Sequence, residues 1–149
     1  MAMYRPVMGS VGVPKRPFKA PRSPVGPCGG EKGIWVALPL PPNRGNGRGH
    51  WAVQKRLQDA WAVQATVALQ NSRKRPSEPL KRFTAHLKVF TKGRANDLDN
   101  ATARAKPAFD LLKRLGWIVE DGPEHLIRLT VESASDWHHP RLEIALLTV

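Results

Sequence analysis

Cysteine, acidic side chains and long apolar runs are all scarce in this chain, and each shortage excludes something. One cysteine, Cys28, among 149 residues rules out an internal disulfide framework. With no base fixed near it in sequence, it reads as an inert thiol and not as a nucleophile. No window approaches the roughly 18 consecutive apolar residues of a membrane span, and Met1 to Arg5 lack the apolar run of a secretory signal. The expectation is a soluble, intracellular (cytoplasmic) protein with no membrane partner. Asp and Glu number 12 against 24 Lys and Arg, a formal net charge of +12. That balance fits a polyanionic partner, because each cation set against a phosphate releases condensed counterions. An acidic membrane surface would attract the same charge. The hydrophobic fraction of 41% supports one modest core in one domain.

Proline and glycine, by contrast, are plentiful, and they crowd the beginning. Residues 1–32 hold Pro6, Pro14, Pro17, Pro21, Pro24 and Pro27 among glycines and scattered basic residues. Regularly spaced apolar surface is too sparse there to offset the entropy of ordering, so a disordered Pro/Gly-rich basic tail is expected. It serves either as a basic arm on DNA or as a solvated leader. The folded domain is placed at 33–149.

Ile34-Trp35-Val36-Ala37-Leu38 reads as a strand closed by Pro39, Pro41 and Pro42, which cannot donate to a sheet ladder. Asn43 to Gly49 is a glycine-rich basic loop in which Arg44 and Arg48 can meet phosphates, although such loops are usually only turns. From Trp51 to about Gln70, apolar residues recur at spacings of three and four, the pattern of an amphipathic helix. Trp51 and Trp61 are assigned to its core stripe in preference to base stacking. Asn71 to Pro79 forms a basic surface loop. Phe83 to Phe90 alternates as a half-buried strand. His125 to Glu132 and Arg141 to Val149 read as two further strands, expected to pair as an antiparallel hairpin. His138-His139-Pro140 lacks the spaced partners of a zinc site and is assigned to a loop. The fold class is α+β: one small domain, a mixed sheet of about four strands and two main helices.

The unusual stretch lies between these elements. Asp97-Leu98-Asp99-Asn100, Lys106-Pro107-Ala108-Phe109-Asp110 and Glu120-Asp121 gather carboxylates in a basic protein. In an extended segment Asp97 and Asp99 point to one side, and convergent carboxylates repel unless a cation such as Mg²⁺ or Mn²⁺ sits between them. Asp-x-Asp alone is common in surface turns. Pro107 is best tolerated at a first helical position, which predicts a helix beginning near Lys106 and ending before Gly116. Trp117-Ile118-Val119 then reads as a short strand or strand-like return that can bring Asp121 beside Asp97 and Asp99. Lys106 would stand by these carboxylates, as an electrostatic stabiliser or as a simple neutralising ion pair.

Together with Leu38-Pro39-Leu40-Pro41-Pro42-Asn43, these segments, in this order, resemble the RusA family of Holliday-junction resolvases over about residues 33 to 149. The resemblance implies a small mixed α/β homodimer that nicks branched DNA with Mg²⁺ or, as a substitute, Mn²⁺, and needs no small-molecule cofactor. It implies Asp97, Asp99 and Asp121 as metal ligands, with Lys106 assisting catalysis. There are two departures. The lysine stands about one turn later than usual, with Ala103 at the shorter spacing and Arg104 as a rival cation. The acidic pair is Glu120-Asp121 where two aspartates are usual. Lys92, Arg94 and Arg104, with Arg44 and Arg48, are candidate DNA contacts. Two function classes follow: a metal-dependent endonuclease for four-way junctions, in which other branched DNA is a less selective variant, and a non-catalytic basic nucleic-acid-binding module.

Overall fold

A computed structural model describes residues 18–19, 33–43 and 50–149. The remainder of the expected tail, with Cys28, and the loop carrying Arg44 and Arg48 lie outside the described residues. Ile34 to Val36, β-branched and aromatic, start strand β1 (Gly33–Pro39), which stops at the proline. Helix α1 (Trp51–Ser72) forms where its apolar spacing predicts a helix, with the His50 ring accepting the Ala52 amide at its start, but Val53, Leu57 and Ala60 of the expected stripe are exposed. It buries Trp61, Ala65 and Leu69, and the Trp61 indole donates to the Pro39 carbonyl at 2.7 Å. Trp51, expected in the core, is 72% exposed and stacks on His50. It sits at the helix start, before the buried stripe begins.

Strand β2 (Phe83–Thr91) alternates as its sequence predicts: Phe83, Ala85, Leu87 and Val89 are buried, while His86 is exposed on the other side. Helix α2 (Leu98–Arg114) corrects the expectation of a start near Lys106. The Asp97 carboxylate accepts the Asn100 amide at 3.0 Å and caps the helix a full two turns earlier. Ala101, Ala105, Ala108 and Leu112, spaced by four, three and four, are buried along one stripe. A proline inside a helix costs about 3 kcal/mol or more through its missing amide and ring clash. Here the cap and that apolar stripe offset it, and Pro107 is itself buried. The end is as expected: Gly116, at φ 75°, follows the C-cap Leu115.

Trp117-Ile118-Val119 makes a single parallel bridge, Leu80 to Ile118, the strand-like return and not a full strand. The Leu80 amide donates to the Trp117 carbonyl there and the Val119 amide to the Leu80 carbonyl, and Trp117 and Ile118 are buried. Strand β3 (Leu126–Ser135) then runs parallel to β2, Val131 opposite Leu87. Strand β4 (Arg141–Thr148) lies antiparallel between β1 and β2, giving the order β1-β4-β2-β3. The expected β3–β4 hairpin is therefore not formed. Crossing back through α2 sends β3 in the direction of β2, as a βαβ unit requires. β4, with Leu142, Ile144 and Leu146 buried on one face and Arg141 and Glu143 on the other, has the burial of a central strand.

Side chains of both helices join one core cluster with Val36, Leu38, Leu87, Ile144 and their neighbours, so both helices cover the same face of the sheet. The fold is a small α+β domain with a mixed four-stranded sheet and two helices. Among the described residues no helix is long and apolar enough to cross a membrane.

Candidate active site

Three motif segments far apart in sequence meet around α2. At its start the Asn43 amide, leaving β1, donates to the Asn100 side chain at 3.4 Å. Asp97 caps the helix and Asp99 follows in its first turn, both exposed. Asp97 is itself extended, at φ −65° and ψ 164°, and turns its carboxylate onto the Asn100 amide, while Asp99 lies within the first turn of the helix. The two residues do not share the extended segment from which their convergence was expected.

Farther along, Lys106, Asp110 and Lys113 occupy i, i+4 and i+7 positions on one stripe of α2. Lys106 Nζ lies 3.1 Å from Asp110 and donates to Asp121 at 2.9 Å. Lys113 Nζ donates to Glu120 at 2.7 Å and to Asp121 at 3.2 Å. The turn after the Leu80–Ile118 bridge thus brings the acidic pair against the C-terminal half of α2.

The hydrogen bond from Lys106, helped by the one from Lys113, holds the Asp121 carboxyl well below the usual carboxylate range. The Lys106 ammonium is raised by Asp121 and Asp110. Lys113 is pushed up to about 12 by Glu120 and Asp121. Asp121 is the most enclosed member, its side chain 16% exposed against 61% for Lys106. Arg104, the rival cation, points elsewhere: its guanidinium donates to the Pro41 carbonyl, and burial lowers its pKa. Of the two rivals it is therefore Lys106, not Arg104, that meets Asp121, and Lys113 joins it there.

Among the described residues no three His, Cys, Asp or Glu side chains come together as a metal-holding group, so Asp97, Asp99 and Asp121 do not form one. Asp97 spends an oxygen on the helix cap, and both oxygens of Asp121 face ammonium groups.

Lys113 was missed from sequence. Its signal was available, since it follows Lys106 by seven residues on the same stripe. Lys92 lies over the Trp137 ring, 5.9 Å from its centroid, and Arg94 is exposed nearby on the loop after β2. On the face of the sheet without helices, Arg141 stacks on Phe90 at 3.7 Å and pairs with Glu143 and Asp136, each at 2.7 Å. His138 and His139 donate their backbone amides to the Asp136 carboxylate, in a loop as expected. Compared with known proteins, the chain matches no family model and no curated sequence.

Proposed function

We propose that this protein is a structure-specific DNA endonuclease of the RusA type, a homodimer that resolves four-way junctions by Mg²⁺-dependent phosphodiester hydrolysis. The observation that carries the reading is the 2.9 Å contact of Lys106 with Asp121, which joins two motif members 15 residues apart. The Asn43–Asn100 contact supports it by bringing the proline motif to the first acidic motif. The net charge of +12 supplies the attraction to a phosphate backbone.

Held as they are, these residues do not fit a divalent ion, and no chemical step is assigned to one. Mg²⁺, with Mn²⁺ as substitute, enters through the resemblance alone. The chain's own groups have definite tasks. Lys106 and Lys113 present two ammonium groups, point charges that draw in a phosphate and stabilise the charge it develops. Asp121 sets their positions. Asp97 fixes the start of α2, and Asp99 stands free for solvent or substrate on its first turn.

The saturation of Asp121 by two lysines favours one second reading, a non-catalytic basic nucleic-acid-binding module whose acidic cluster is structural. Asp99→Asn separates the two. The endonuclease reading expects this variant to lose Mg²⁺-dependent junction cleavage while keeping junction binding. A variant that cuts at the parental rate removes Asp99 from the chemistry.

A further inference from the structure

Trp137 takes no part in the contacts of Lys106 and Asp121, yet 63% of it is exposed on the loop between β3 and β4. A single exposed apolar side chain is ordinary; what sets this one apart is the frame that holds its loop. The Asp136 amide donates to the Thr91 carbonyl at the end of β2, at 2.9 Å. The Asp136 carboxylate accepts the His138 and His139 amides at 3.1 Å each and the Arg141 guanidinium at 2.7 Å. Arg141 is in turn buried against Phe90. On the other side of the loop the Ser135 hydroxyl donates to the Gly93 carbonyl. Gly93, at φ 92°, turns the chain after β2 against the indole, where a Cβ would meet Trp137 Cζ2 at 3.8 Å. A ring fixed on such a frame loses little freedom when a flat partner lies on it.

The surroundings are basic. Lys92 Nζ lies 5.9 Å from the ring centroid, near the outer limit of a cation–π contact. Lys92, Arg94, His138 and His139 are exposed, and they line one depression whose described lining holds no acidic residue. Asp136, the carboxylate next in sequence, is already committed to Arg141 and two amides. An exposed ring among cations is how proteins take up unpaired nucleic acid: a base stacks on the ring while the backbone follows the charges. The place in the fold agrees. β2 and β3 are parallel and both end here, and ligands of sheets with parallel strands bind outside the carboxyl ends of those strands. The loop after β2 also leads directly to Asp97 at the start of α2.

We infer that Trp137 is a stacking platform for one unpaired base of a DNA strand, with the adjoining phosphates on Lys92 and Arg94. The inference rests on the nucleic-acid side of the proposed function but not on hydrolysis. An anionic lipid surface attracts the same charges, but lying in that surface takes an extended apolar face, and Trp137 is flanked by Asp136 and His138. DNA is therefore the partner the loop favours.

The test is titration of the full chain, in chelator and at one fixed salt concentration, against two labelled DNAs: a duplex with a single-stranded thymidine tail and the same duplex fully paired. The tailed DNA should bind more tightly. Trp137→Ala should weaken tailed binding about tenfold or more, the loss of one base–ring stack, and leave duplex binding nearly unchanged; Trp137→Phe should restore most of the loss. Oligothymidylate should also quench the indole emission of the parent, and that part of the quench should be missing in Trp137→Phe although it still binds. Equal loss on both DNAs, no loss on either, or no rescue by Phe overturns the platform and leaves the nuclease reading standing. A parent that binds neither DNA overturns both. Phosphatidylserine vesicles supply the last arm: binding to them that depends on Trp137 while tailed DNA is indifferent to it overturns DNA as the partner.

Discussion

Replacing Asp121 by Asn removes the charge that Lys106 and Lys113 share while keeping the shape of the side chain. At 2.9 Å the Lys106–Asp121 pair has a raw Coulomb attraction of about 6 kcal/mol at an effective dielectric near 20. Most of that is returned as desolvation and side-chain ordering, because Lys106 is 61% exposed, and such pairs net about 0.2–1 kcal/mol. Freeing Lys113 acts in the same direction. Asp121→Asn should therefore cost about 1 kcal/mol, or about 2–4 °C in Tm for a domain of this size. The pH dependence identifies the cause. Asp121 has a depressed pKa, so its contribution is present above its ordinary value of 3.8 and is lost as pH falls through the folded value. The raised lysines give up their share only at the other extreme, as pH rises beyond 10.5 towards about 12 for Lys113. Urea unfolding of parent and variant should show a constant gap from about pH 5 to 8 that closes below about pH 4. Adding about 1 M salt should shrink it. A gap that persists unchanged in acid or in high salt refutes the electrostatic account of this cluster.

Asp97→Ala removes the cap that starts α2 and should cost about 0.5–2 kcal/mol; unchanged denaturant stability would deny the carboxylate its capping role. Arg141→Met leaves the buried Glu143 carboxylate, 8% exposed, without its partner, and loss of one member of a buried pair costs about 3–5 kcal/mol. The corresponding fall in the denaturation midpoint checks it, and a cost under about 1 kcal/mol would show that water reaches Glu143.

The elements legible in sequence are those whose signal is local. Ile34 to Leu38, the three-four spacing through Trp61 and Leu69, and the alternation of Phe83 to Val89 each specify a strand or helix without help from the rest of the chain. Two features were not legible because their causes are distant. Pro107 pointed to a helix start, and the small stripe of Ala101, Ala105 and Ala108 gave no strong counter-signal until it was packed against the sheet. The two final strands alternate well enough to pair with each other, but which strand lies beside which depends on the α2 crossover. The site divided similarly. The meeting of Lys106 with Asp121 was expected, including its reading as an ion pair. The convergence of Asp97 and Asp99 assumed one extended segment, but the helix that Asp97 caps takes in Asp99. Lys113 shares a stripe with Lys106 and Asp110 even in a helix that begins at Lys106, but its partners Glu120 and Asp121 come from a turn whose place depends on the fold.

The central claim is that this basic domain cuts branched DNA. Incubating the purified protein with an end-labelled four-way junction, a fork and the matching linear duplex, with and without Mg²⁺, tests it most directly. The account predicts paired nicks in opposing strands of the junction that require the ion, with the duplex left intact. Tight junction binding with no nick under any divalent-ion condition would contradict it and assign the protein to the binding modules.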